Sequence, residues 1–418
     1  MTLFRPIIWA AALAFIMLPL YAAAAEIRNL TLQQAVELAL QRNPTLRAQS
    51  QGVASAKANE MTAGLRPNPV FSNESEDFTA AVTQLFERGS KRGRRIDTAK
   101  LSTEITVSDF SEARRGLVFL VRKTFTDALL AKSNLELAQE NLKNFQDVED
   151  LNGIRFQKGD ISGADLLKIE LQKLQFENDV QDATLALKTA RTTLKTLLAT
   201  PELAEEFEIE GELQFRAFDI LLADLNELAL RNRPDLRSVE TLKKKTEADI
   251  RLAIANSYTD VSLTLGYHHT EPNVPTWFWP GFPKGPTENH VGFGFSFPLR
   301  IFDRNQGEIA RTRAEAIRAS SIAEAVRNQI SNDVEVGYAA FRTSRERVRL
   351  YEQVYLNRAK ESREIAEFAY KSGRTSILDL LEAERTYRGV QLAYRQALAT
   401  YLTNLHQLNA VVGMDVAK

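Results

Sequence analysis

FQKGDISGADLLKIE, residues 156–170, returns later in the chain as YKSGRTSILDLLEAE, residues 370–384. Aligned at a spacing of 214 residues, the two stretches pair Gly159 with Gly373, Ser162 with Ser376, Asp165 with Asp379 and Glu170 with Glu384. Each opens on a glycine-containing turn signal and continues as a helical pattern. Asp379 and Glu382 stand three residues apart, so on a helix they share one face. Taken alone, that pair could be a catalytic acid and base, a metal site or two solvated helix carboxylates. Catalysis also needs a pocket, a nucleophile or water site and supporting donors, none of which the neighbourhood SILDLLEAER suggests.

A second repeat lies further out. VELALQRNPTLR (36–47) matches NELALRNRPDLR (226–237), pairing Pro44 with Pro234 and Leu46 with Leu236 at a spacing of 190 residues. Two landmarks repeated in the same order make the chain two copies of one unit, 26–212 and 213–418. Because the spacing grows from 190 to 214 residues, the second copy holds an insertion between the landmarks. TEPNVPTWFWPGFPKGPTENH (270–290), with five of the 13 prolines, fits it and reads as a loop.

The flanks of this loop alternate with a period of two. VSLTLGYH places Val261, Leu263, Leu265 and Tyr267 on one face, and VGFGFSFP does the same with Val291, Phe293, Phe295 and Phe297. Both read as strands with one wholly apolar face, a β-hairpin over about 258–299. The equivalent hairpin of the first copy, PVFSNESEDFTAAVTQLFE (69–87), is weaker, because Asn73, Glu74, Glu76 and Asp77 interrupt it.

No proline falls between Pro69 and Pro201 or after Pro298, which permits very long helices. Ala128, Ala131, Leu135, Ala138, Leu142 and Phe145 form a heptad-like stripe, and Tyr338, Phe341, Val348 and Tyr355 form another. A helix from Arg94 to Glu149 would run about 80 Å, too long for a compact globule. The expected fold is mainly α with a small β part: per copy a short helix, a β-hairpin, a long helix, a tip turn (about 156–163 or 370–377) and a returning helix. Four strands cannot close a barrel, since the smallest membrane barrels take about eight. An apolar hairpin left alone would also expose its edges, so several chains must pool their strands.

Composition narrows the function classes. With 53 Lys and Arg against 54 Asp and Glu, no global field favours nucleic acid. There is no cysteine, which removes disulfides, thiolate metal ligands and a cysteine nucleophile. No phosphate-binding loop or proton relay supplies an energy source. The start, MTLFRPIIWAAALAFIMLPLYAAAAEIRNL, reads as a secretory signal peptide over 1–25, with Ala23 and Ala25 at the cleavage site.

In order and duplication, the LTLQQAVELALQRNPTL opening, its RPDL counterpart, the two glycine turns and the two hairpins resemble the TolC-like outer-membrane factors. LRPNPVF followed by FERGSKRGRRIDTAK is most similar to the heavy-metal branch of that family, which exports cobalt, zinc, cadmium, copper or silver. The resemblance implies a homotrimer in the outer membrane of a Gram-negative bacterium, with a twelve-stranded β-barrel continuous with an α-helical tunnel through the periplasm. It implies a passive exit duct, not an enzyme, served by a periplasmic adaptor protein and an inner-membrane efflux pump. Multidrug efflux and type I secretion are the alternatives within the family. Outside it stand a coiled-coil adhesin and an exported hydrolase.

The resemblance also assigns residues. Asp379, Glu382 and Asp165 fall at the periplasmic gate, with Lys168 standing in the first copy where Glu382 stands in the second. Gly159, Ser162, Gly373 and Ser376 fall at adaptor-docking tips, although turn geometry alone would explain the glycines. Leu166, Leu167, Leu380 and Leu381 read as tip packing. Val261, Leu263, Leu265, Tyr267, Val291, Phe293, Phe295 and Phe297 would face outer-membrane lipid. SKRGRR (90–95) lacks interleaved aromatics, so it reads not as a nucleic-acid site but as cations near lipid headgroups or solvent. His268, His269 and His290 border the loop without His-x₃-His spacing or evident acidic partners, so they read as rim residues, with no metal site and no cofactor expected. Trp277, Phe278, Trp279 and Phe282 read as loop packing or an aromatic belt.

Overall fold

The computed structural model describes residues 29–74, 79–200, 203, 207–216, 220–270 and 288–416. The expected signal peptide, most of the expected loop 270–290 and its aromatic residues lie outside the described residues.

Each copy opens with a helix pair split by its proline. Thr31 caps α1 (Leu32–Arg42) in a reciprocal capping box with Gln34. The chain turns at Asn43, whose side chain accepts from the Leu46 N–H at 3.1 Å and caps α2 (Pro44–Ala63). Proline at the first helical position lacks only a donor the helix would not have used. The second copy repeats this as α5 (Leu222–Asn232) and α6 (Pro234–Asn256). One short helix per unit was the expectation; the prolines make two. A short parallel pair, β1 (Asn29–Leu30) with β4 (Glu208–Ile209), ties the start of the first copy to its end and buries Leu30 and Ile209 completely.

α3 (Lys91–Gln157) runs 67 residues without a break, longer at both ends than the sequence pattern suggests. At 1.5 Å per residue that is about 100 Å. It packs against α2, α4 (Gly163–Leu198), α6 and α9 (Ile377–Val412), and its predicted stripe is the buried side: Ala128, Ala131, Ala138 and Phe145 are buried, Leu135 and Leu142 partly so. In the second copy, α7 (Gln306–Leu350) passes through a π-helical turn, Tyr351–Tyr355, into α8 (Leu356–Lys371). Tyr338, Phe341 and Val348 follow the expected stripe into the core, but Tyr355 is 45% exposed, and Tyr351 packs against the core instead. A π turn accommodates one more residue than an α turn, so the stripe changes phase there.

The strands β2 (Val70–Glu74), β3 (Thr79–Phe86), β5 (Val261–Thr270) and β6 (Glu288–Ser296) form one antiparallel sheet in the order β2-β3-β5-β6. The central β3–β5 pairing joins the two copies, leaving β2 and β6 as edges.

SKRGRR lies where the sheet meets the helices, but two of its cations are neither solvated nor free for headgroups. Lys91 is 5% exposed; it donates to Asp260 at 2.6 Å and to the Tyr258 carbonyl at 2.8 Å. Arg95 pairs with Glu87 and reaches the Leu65 carbonyl. These contacts fix the strand ends to the start of α3. The other two fit the expectation: Arg92 is exposed, and the Arg94 side chain stands 41% exposed beside Asp97.

Arg233 occupies the position of Asn43 in the second copy and is buried. It makes two bonds to Asp235, at 3.0 and 2.6 Å, and one to Asp333 on α7 at 2.7 Å. A buried ion network is costly to break from one side, because the remaining charges lose their partner. Arg233→Ala is therefore expected to destabilise the helical body by about 3 kcal/mol, read as a lowered melting point of the purified protein by circular dichroism.

Candidate functional site

The two glycine turns close with the same backbone bonds. Helix α3 ends in a pair running from the Gly159 N–H to the Phe156 carbonyl (2.9 Å) and from the Asp160 N–H to the Arg155 carbonyl (2.8 Å). α8 ends identically through Gly373 to Tyr370 (3.0 Å) and Arg374 to Ala369 (2.8 Å). This closure needs a left-handed residue, supplied by Gly159 at φ +84° and Gly373 at φ +68°. Three residues on, Ser162 and Ser376 cap α4 and α9 by accepting from the N–H groups of Asp165 and Asp379. The spacing Ser-x-x-Asp in both stretches is the capping signal that the sequence carries for these two helices.

The copies differ electrostatically. The Asp165 carboxylate receives bonds from Lys168 (3.0 Å) and the Ser162 hydroxyl (2.8 Å), and these partners, the ammonium first, hold it below the usual carboxylate range. Among the described residues the donors to the Asp379 carboxylate are neutral: the Thr375 hydroxyl, the Ser376 hydroxyl at 2.9 Å and the Ser376 N–H at 3.2 Å. They too hold it low, Thr375 contributing most. Glu382, where the first copy has Lys168, is exposed one turn further along, with Arg385 at 3.5 Å. Asp165 is thus neutralised within its own tip, whereas among the described residues no cation is bonded to Asp379.

Behind the turns the hairpins lock together. Phe145, Ile169 and Phe176 from the first copy pack with Tyr370, Ile377, Leu380 and Leu381 from the second. The Tyr370 hydroxyl donates to Asn152 Oδ1, and Asn152, completely buried, donates in turn to the Val148 carbonyl at 2.7 Å. Arg155 lies 5.1 Å over the Tyr370 ring, and Arg388 binds Asp179 beside Phe176. Leu380 and Leu381 are tip packing, as expected, and Leu166 is half-buried. Leu167 is not: it is 55% exposed, because its helix presents Ile169 to the cluster.

At the other end of the molecule the strand register sorts the sheet into two faces. One carries Phe71, Val82, Leu265 and Phe293 side by side, with Asn73, Ala80, Tyr267 and Val291 in a neighbouring row and Gln84, Leu263 and Phe295 in another, so it is apolar apart from Asn73 and Gln84 in these rows. Leu263, Leu265, Tyr267, Val291, Phe293, Phe295 and Phe297 are all exposed, Phe293 to 88%, and Val261 is half-buried. The opposite face carries mostly small and polar side chains: Ser72, Ala81, Gly266 and Gly292 in one row, and Val70, Thr83, Thr264 and Gly294 in the next. A further row is Glu74, Thr79, His268 and His290, with Thr270 opposite Glu288 beyond it. An apolar outside and a small, polar inside is the pattern of a wall between lipid and water.

Residues 35–200 and 225–414 match the family of outer membrane efflux proteins. The chain belongs to that family. Over 92% of its length this efflux protein is 25% identical to the cobalt-zinc-cadmium resistance protein CzcC of Cupriavidus metallidurans, covering 90% of that relative. It is 22% identical to the outer membrane protein TolC of Vibrio cholerae, over 81% of this chain and 77% of the relative. The fold matches the crystal structure of CusC with a TM-score of 0.77 at 17% identity, each chain covered to 93%. A membrane protein of Pseudomonas aeruginosa matches with the same TM-score at 19% identity, over 93% of this chain and 91% of the other.

In this efflux protein the Tyr370 hydroxyl is the partner that satisfies buried Asn152 from across the two hairpins. Tyr370→Phe should leave that carbonyl oxygen unpaired at a cost of about 1–3 kcal/mol. The expected result is faster amide hydrogen exchange in residues 145–152 and 370–381, with the sheet unchanged.

Proposed function

We propose that three copies of this outer membrane efflux protein close a twelve-stranded barrel and a helical tunnel, which together form a passive duct. The observation that carries this reading is the four-stranded sheet, largely apolar across one face and open at both edges. Its β2 and β6 edges gain partners if β6 of one chain pairs with β2 of the next, and closure at twelve strands exceeds the minimum for a barrel. Val261, Leu263, Leu265, Tyr267, Val291, Phe293, Phe295 and Phe297 then meet lipid, and the glycine, serine and threonine rows line water.

The tips at Gly159, Ser162, Gly373 and Ser376 form the periplasmic end, where an adaptor docks and links the duct to an inner-membrane pump. Asp379 and Glu382 ring the narrowest point as a gate, with Asp165 a lesser contributor because Lys168 neutralises it. Three such pairs favour cations, and similarity to CzcC supports divalent heavy-metal ions as cargo. The chain itself carries out no chemistry.

Planar-bilayer recording tests the reading. The purified protein should insert as a trimer with small, cation-selective conductance, and absence of insertion would overturn the duct. Replacing Asp379 and Glu382 by Ala should raise conductance and weaken cation selectivity; unchanged values would remove both from the gate. Since hydrogen bonds depress the Asp379 pKa, its charge is lost only as pH falls through that lowered value. Selectivity should therefore persist at pH about 4, where an ordinary aspartate is half protonated. Growth of a deletion strain across metals and drugs separates a metal duct from a multidrug one.

A further inference from the structure

Near the loop end of the small and polar sheet face, one row brings together two histidines that the sequence separates by a loop. His268 on β5 and His290 on β6 are direct cross-strand partners. Directly opposed residues hold their Cβ atoms about 4.5–5.5 Å apart on the same face, within reach of one ion for two imidazoles.

Each ring already has one nitrogen engaged by an oxygen partner. His268 Nδ1 is 2.7 Å from the Thr79 hydroxyl, in register on β3. His290 Nε2 is 3.0 Å from Glu288 Oε2. A carboxylate only accepts, so His290 donates through Nε2 and its Nδ1 carries the lone pair. The Thr79 hydroxyl can accept from His268 Nδ1–H, which places that ring's lone pair on Nε2. Fixing a metal-binding imidazole through its second nitrogen is the usual supporting arrangement for such ligands. The acidic partner that the sequence reading did not find is Glu288, two residues before His290.

We infer that His268 and His290 form a two-nitrogen site for a divalent transition-metal cation at the outer end of the duct, with Thr79 and Glu288 orienting the rings. Among the described residues no three His, Asp or Glu side chains converge as a metal cage, so water completes the coordination. Imidazole suits zinc, copper and nickel, and excludes calcium and magnesium, which take oxygen ligands. A site with only two protein ligands holds its ion loosely, as an exit station must if the ion is to leave.

That this row faces the duct rests on the proposed barrel; the histidine pair itself lies within one chain. Two measurements separate the two claims. Zinc titrated calorimetrically into the detergent-solubilised protein should bind at one site per chain, with affinity falling at least about tenfold in His268→Ala and in His290→Ala, and about tenfold in Glu288→Gln. Magnesium should give no binding at these residues. In planar bilayers, zinc added on the side opposite the helical tips should reduce conductance in the wild type and not in the His268→Ala/His290→Ala variant, with an SDS-resistant trimer confirming assembly of both. Zinc binding that survives in the double variant, or is absent from the wild type, overturns the site. Binding without any conductance would leave the site standing and remove the duct; binding with a conductance insensitive to zinc would overturn the placement at the exit.

Discussion

Along the outer edges of β2 and β6, backbone N–H and C=O groups have no partner within the chain's own sheet. In water such groups would be solvated; beside lipid each unpaired one costs several kcal/mol. A sheet with an apolar face cannot meet that demand alone, and closing on further copies is the solution that leaves no edge. The rest of the architecture serves this constraint. Duplication supplies two hairpins per chain, the β3–β5 pairing fuses them, and the buried Lys91–Asp260 contact ties the start of α3 to the segment entering β5.

At the far end the demand is different, since the helical tips stand in water and their backbone is satisfied locally. Gly159 and Gly373 supply left-handed turns, and Ser162 and Ser376 cap the returning helices, so the two tips are nearly the same object in shape. Charge distinguishes them. Lys168 cancels Asp165, whereas Asp379 is held ionised by hydroxyls and a backbone N–H, with Glu382 a turn away. One tip therefore carries two carboxylates and the other a carboxylate paired with an ammonium, without any change in the fold of either.

Much of this was legible in the sequence, because duplication, proline placement and period-two alternation are one-dimensional signals. The hairpins at Val70–Phe86 and Val261–Ser296, and the buried stripe from Ala128 to Phe145, follow directly from them. What escaped depends on three-dimensional register. His268 and His290 meet only because the strands pair at that phase across a long loop. Asn152 gave no sequence signal, and its importance comes from complete burial opposite Tyr370. Lys91 and Arg95 read as surface cations until the segment 258–260 folded back over one and Glu87 paired with the other.

The π-helical turn at Tyr351–Tyr355 has no counterpart in α3, which crosses the first copy as continuous α-helix. Past that turn every side chain of α8 is displaced by one helical position, about 100°, from where an unbroken helix would have put it. The two halves of the molecule therefore keep the same order of elements but have ceased to be interchangeable parts. A segment transplanted from one half into the other would arrive rotated, with its apolar stripe against the wrong neighbour. Duplication is written in the sequence, and the helix phase marks the point beyond which the two copies place their side chains differently.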